Sequence, residues 1–245
     1  MFNVVAQDTL FQDRADAGRQ LASRLKRYAN RPDVLVLGLP RGGVPVAYEV
    51  AQALKAPLDV CLVRKLGVPG QPELALGAIA SGGVLVLNNN VIDGLAISNH
   101  TIDAVVVQES RELQRRDRAY RGDRSPPQVC DRLVILVDDG IATGATMRAA
   151  ISVIAPQAPA KLIVATPVVP LSICEDLNLD VDEMVCVTMP AHLNAIGSRY
   201  VDFSQTTDAE VCQLLAKATR SQPFPWAHPA ASMEMPPGFR GFQGP

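Results

Sequence analysis

LVILVDDGIATGATM, residues 133–147, rises through five apolar residues into two adjacent aspartates and then relaxes into small, hydroxylated and glycine residues. An apolar run of this length closed by a turn reads as a buried strand. Adjacent carboxylates repel each other, and Thr143, Gly144, Ala145 and Thr146 contribute almost nothing to a core, so the stretch is expected to serve a ligand. Backbone N–H groups of Ala142, Thr143, Gly144, Ala145 and Thr146, at the start of a helix expected over 146–154, can cradle a phosphate. The Thr143 and Thr146 hydroxyls add donors, and Gly144 permits close backbone approach. Asp138 and Asp139 accept hydrogen bonds only, which suits the vicinal hydroxyls of a ribose or a divalent ion. The stretch has no Gly-Lys-Ser/Thr ending and no GxGxxG spacing, so it is neither a nucleotide-triphosphatase loop nor a dinucleotide loop.

Outward from this stretch, strands and helices alternate. Strands are expected over 34–38, 58–63, 84–87, 133–137, 162–165 and 184–187. Helices are expected over 13–29, capped by Asp13, and over 46–54, 102–120, 146–154 and 208–218, with a short one between the last two strands. Alternation of this kind predicts an α/β fold, a mainly parallel central sheet with helices on both faces. Ligands in such sheets gather at the carboxyl ends of the strands. Residues 221–245 are rich in proline and small residues without a period, and a disordered tail is expected there.

With 245 residues, 48% of them hydrophobic, the chain can bury a substantial core. Its 23 basic and 25 acidic side chains leave a formal net charge of -2, which gives no general attraction to nucleic acid or anionic membrane. Of five widely spaced cysteines without a CxxC pair, most read as buried thiols in a reducing compartment. No apolar run is long enough to span a bilayer, and a cytoplasmic location is expected.

A hydrophobic strand, Asp-Asp, two small residues and Thr-Gly-small-Thr resemble the phosphoribosyl pyrophosphate (PRPP) signature of type I phosphoribosyltransferases. The resemblance implies that family's Rossmann-like α/β fold with a small hood, and transfer of a 5-phosphoribosyl group from PRPP to a nitrogenous acceptor with release of pyrophosphate. It implies that Asp138 and Asp139 hold the ribose hydroxyls, directly or through Mg2+, and that residues 142–146 hold the 5′-phosphate. The loop GLPRGG, with Pro40, Arg41, Gly42 and Gly43, is similar to the family's pyrophosphate loop, and a cis peptide there would fall at Pro40–Arg41. VRKLGVPGQPELALGAI, residues 63–79, looks like the flexible catalytic loop. In that reading Arg64 and Lys65 stand beside the departing pyrophosphate and Glu73 is the carboxylate available for proton transfer. MPAHLNAIGSRYVDF, residues 189–203, looks like the hood, with Tyr200 or Phe203 stacking on the base.

On this resemblance residues 1–220 form one domain, with an insert over about 82–132 and a hood over about 189–205. Members acting on 6-oxopurines commonly carry an aspartate two positions before the loop glycine; Ala142 stands there, nearer to adenine- and uracil-using members. The arginine-rich stretch 111–124 is interleaved with Glu112, Asp117 and Asp123, which reads as an ion-paired helix end rather than an RNA-binding face; the alternative is that Arg115 and Arg116 face the active site of a neighbouring subunit. The partners expected are PRPP, a small-molecule acceptor and a second copy of the chain as a dimer. The alternative is a non-catalytic regulatory protein that binds PRPP or a nucleotide on the same fold.

Overall fold

The computed structural model describes residues 9–221, apart from the side chains of Pro72 and Glu73. The proline-rich tail expected beyond residue 221 therefore lies outside the described residues. Five strands form the central sheet: β1 (Val34–Gly38), β2 (Leu58–Val60), β6 (Leu133–Val137), β7 (Lys161–Val168) and β8 (Glu183–Thr188). All neighbours pair in parallel, in the order β2-β1-β6-β7-β8. Their residues alternate between two cores. Val34, Val36, Ile135, Val137, Ile163 and Ala165 enter one; Leu35, Leu37, Val134, Leu136, Leu162 and Val164 enter the other. A strand buried on both faces therefore reads as an unbroken apolar run, and its period of two appears only in which core receives each side chain.

The first core is roofed by α1 (Arg14–Arg24), α2 (Gly43–Leu54) and α7 (Asp208–Ser221), the second by α5 (Ala145–Ile154) and α6 (Leu171–Leu177). Asp13 caps α1 as expected, its side chain accepting from the Asp16 amide at 2.7 Å. The helix stops at Arg24, and a short 3-10 turn over Lys26–Tyr28 replaces its expected last stretch.

Two expectations are corrected around residue 62. The single strand expected over 58–63 is two strands in different sheets. The chain leaves the parallel ladder after Val60, whose carbonyl is taken by the Arg121 guanidinium, and resumes as β3 (Val63–Val68). The segment read as an open catalytic loop is a hairpin, in which β3 pairs antiparallel with β4 (Gln71–Ala80) across a turn at Gly70, φ +80°. Buried Leu66, Val68 and Leu76 turn into the first core and Ala78 into the second, so the hairpin is packed on both faces. β5 (Val84–Leu87) completes a three-stranded sheet in the order β3-β4-β5. Gly77 is required there, because a Cβ would lie 2.3 Å from the Val86 carbonyl oxygen.

The region expected as an insert thus comprises β5, the short α3 (Asn89–Gly94) and the long α4 (Asn99–Arg121). The last residue of α4 locks it to the central sheet. Arg121, 5% exposed, pairs with buried Asp59 at 3.1 Å and with Asp117, and donates to Ser81. The arginine-rich stretch is ion-paired as expected: Arg115 and Arg116 both pair with Glu112.

Removing one partner of a buried ion pair strands the other. Arg121→Ala should therefore cost about 3–5 kcal/mol in urea denaturation, with Asp59→Asn added to it recovering part of the loss; a cost under about 1 kcal/mol would show that the pair does not anchor α4.

Candidate functional site

The strand order reverses between β1 and β6: the chain runs from β1 outward to β2 on one side, and from β6 through β7 to β8 on the other. In an open parallel sheet this switch point opens a crevice outside the carboxyl ends of the two strands. Both loops singled out in the sequence fall there, residues 39–43 after β1 and residues 138–144 after β6.

Glycine brings the two loops into backbone contact. The Leu39 amide donates to the Val137 carbonyl at 2.8 Å. A Cβ on Gly42 would lie 2.0 Å from Asp139 Oδ2, and one on Gly43 would lie 2.7 Å from the Val137 oxygen and 2.9 Å from Asp138 Cα. No other residue type fits at either place without moving the aspartates or the strand end. The Pro40–Arg41 peptide bond is cis, where the resemblance puts it. On the β6 side, Gly144 takes φ +77° as the residue before α5, and exposed Ala142, Thr143 and Thr146 with half-buried Ala145 form the mouth of that helix.

The two aspartates are not equivalent. Asp139, 8% exposed, is held by Arg14 Nε at 2.7 Å, and its carbonyl accepts from the Tyr200 hydroxyl at 2.5 Å. Arg14 also donates to the Ser204 carbonyl at 2.6 Å and lies 4.0 Å from the centre of the Phe203 ring. Asp138 is half-buried and accepts from the Asp139 amide at 2.9 Å. Burial, followed by the neighbouring Asp139 charge, holds its carboxyl well above the usual carboxylate range.

Arg14 is a site residue that the sequence reading missed. A signal existed: a cation in the first turn of a helix faces the positive end of the macrodipole and needs a compensating anion from elsewhere.

Of the two hood aromatics expected to stack on a base, Tyr200 is buried and does not offer its ring. Tyr200 is 6% exposed and packs between Phe11 and Phe203, with ring centres 5.3 Å and 4.9 Å away. Phe203 meets Arg14, and a Cβ on Gly197 would lie 2.9 Å from its ring. These rings brace the wall behind Asp139, Tyr200 buried and Phe203 half-buried. The segment around them is pinned by a bridge between Phe11 and Tyr200, with the Phe11 amide donating to the Arg199 carbonyl.

Arg64 and Lys65, expected together, lie in different clefts, because adjacent strand residues point to opposite faces. Arg64 pairs with Glu109 of α4 and lines a narrow cleft with Pro40 and Thr146. Lys65 lines a groove of about 340 Å³ with Ala78, Thr143, Ala145 and Arg148. Both cations therefore border the mouth of α5, one from each side of β3. The side chain of Glu73 lies outside the described residues.

A pH signature follows from Asp138. Because its folded-state pKa is raised, this group favours folding below its unfolded value and loses that contribution as pH rises through the folded value. Asp138→Asn should therefore melt about 2–4 °C higher than wild type at pH 7.5, the gap closing toward pH 4. A variant that melts lower at pH 7.5 would contradict the assigned strain.

The family model of the phosphoribosyl transferase domain matches residues 6–190. Two proteins of Mycobacterium tuberculosis, from strains H37Rv and CDC 1551 and both named "Putative phosphoribosyl transferase", are 49% identical over 211 residues. The match covers 86% of this chain and 47% of theirs, so the chain spans about half the length of these curated relatives. The crystal structure of TT1426 from Thermus thermophilus superposes with a TM-score of 0.77 at 40% identity, covering 85% of this chain and 99% of that one.

Proposed function

The chain belongs to the phosphoribosyl transferase family, and on that premise we propose that it transfers the 5-phosphoribosyl group of PRPP to a nitrogenous acceptor with release of pyrophosphate. The observation that carries this reading is the backbone contact of Gly42 and Gly43 with Asp138 and Asp139. It sets the loop after β1, a carboxylate and the open start of a helix around one crevice.

In this reading the 5′-phosphate sits on the amides of residues 142–146 at the start of α5, where N–H groups and the helix dipole favour an anion. The pyrophosphate lies along residues 39–43, with Arg41 beside it. Asp138 receives the ribose hydroxyls, while Asp139, tied to Arg14, fixes the position of its neighbour. During transfer the C1′–oxygen bond to pyrophosphate breaks and a C1′–nitrogen bond forms. The acceptor nitrogen gives up its proton, and the bond electrons leave with the pyrophosphate. Positive charge developing on the ribose is of the oxocarbenium type. The protein contributes alignment of the reactants and stabilisation of the leaving group.

Among the described residues no three His, Cys, Asp or Glu side chains gather to hold a metal. Asp138 and Asp139 fit Mg2+ as a substrate-borne ion: the cation uses one or two carboxylates together with substrate phosphate oxygens, and Asp138 is the one not tied to Arg14. When bound, Mg2+ would neutralise charge on the pyrophosphate.

With alanine at 142 the loop supplies no carboxylate for a base proton, which favours adenine or uracil over 6-oxopurines as the acceptor. We further propose that the chain acts as a homodimer in the cytoplasm. Among the described residues no helix is long and apolar enough to cross a membrane.

The test is pyrophosphate release from PRPP and Mg2+ with adenine, uracil, guanine, hypoxanthine and orotate offered singly, and with none. Release that requires one base, reduced at least 100-fold in kcat/KM by Asp138→Asn, is expected. Tight PRPP binding without release would instead make the protein a PRPP-binding regulator. Release without any base would make it a hydrolase.

A further inference from the structure

The cleft that holds Arg64 has a second cation, and it comes from the inserted helix. Arg116 of α4 lines the same cleft as Leu39, Pro40, Arg64 and Thr146. The cleft is small, about 20 Å³, so it is not itself the seat of a diphosphate; it marks where the loop after β1, the first turn of α5, the hairpin strand β3 and α4 meet. We propose that Arg116 is a pyrophosphate-binding residue supplied in cis by α4, and that with Arg64 and Arg41 it completes the cationic lining around the leaving diphosphate. The inference rests on the PRPP reading above and extends it to a helix that the resemblance left without a role.

Three observations support it. First, Arg116 is placed rather than free to wander. Its helix is locked by Arg121 at one end of this stretch, and Leu113, one turn earlier, is buried and lines the same cleft. Second, Arg41 of the loop after β1 sits near this part of α4: burial and the Asp208 hydrogen bond push the Tyr120 hydroxyl up, and the charges of Arg116 and Arg41 oppose that shift.

Third, both cleft arginines rest on carboxylates of the same helix face: Arg64 on Glu109 at 2.5 Å, and Arg116 on Glu112 at 2.7 Å. Hydrogen bonds from Arg115 and Arg116 hold Glu112 down to about 2, so it stays ionised throughout the working pH range. Each carboxylate therefore keeps its arginine at the cleft mouth. A diphosphate offers more charge and more acceptor oxygens than one carboxylate, so it competes for the same guanidinium groups by bidentate contact.

Arg115 is the natural control. It shares Glu112 and also reaches Asp208 at 3.6 Å, but it is more exposed and does not line the cleft.

The experiment is calorimetric titration of the full chain with magnesium pyrophosphate, and separately with PRPP. Arg116→Gln should weaken both ligands about tenfold or more, Arg116→Lys should weaken them less, and Arg115→Gln should stay within about twofold of wild type. All variants should melt near the wild-type temperature. Wild-type binding that Arg116→Gln leaves unchanged would overturn the role of Arg116 alone, with the PRPP reading intact. A wild-type chain that binds neither ligand would overturn both.

Discussion

The site depends on one steric constraint, the contact of two glycines with the end of β6. Gly42 and Gly43 have no Cβ, so the loop after β1 can lie directly on Val137, Asp138 and Asp139. The switch point of a parallel sheet opens a crevice in any fold of this class. Here the glycines narrow it to a slot with backbone on both walls. A chain carrying alanine at those positions would have to shift either the carboxylates or a strand end in a close-packed sheet, and such interiors yield little.

Around that contact the charges form two tiers. Asp139 is neutralised by Arg14, which is itself packed on Phe203 and bonded to the Ser204 carbonyl. Asp138, beside it, carries the strain of burial and like charge. A structural carboxylate thus stands next to a strained one, and strain of this sort concentrates at ligand sites, where binding rather than folding relieves it. The Tyr200 hydroxyl, bonded to the Asp139 carbonyl, ties the same corner to the segment beyond β8.

The central sheet and the two loops were legible in the sequence because they obey local rules. Five-residue apolar runs, a glycine-rich turn and a run of small residues into a helix each have one economical reading. The hairpin over residues 63–80 was not legible as such. Its Gly67, Gly70 and Pro72 look like loop residues, while the burial of Leu66, Val68 and Leu76 depends on the first core and that of Ala78 on the second. Tyr200 misled for the opposite reason: an aromatic near a predicted site suggests stacking, yet its burial is decided by Phe11, nearly 190 positions away in the chain. The ion pairs of Arg14 with Asp139 and of Arg121 with Asp59 are likewise tertiary facts, invisible to spacing.

The claim on which everything else stands is that the crevice between β1 and β6 is a PRPP site. A crystal structure of the chain with PRPP and Mg2+ tests it most directly. The account predicts the 5′-phosphate on the amides of residues 142–146, the diphosphate along residues 39–43, and the ribose hydroxyls at Asp138. Density for PRPP elsewhere on the chain, or a crevice left without ligand at saturating PRPP, would contradict it.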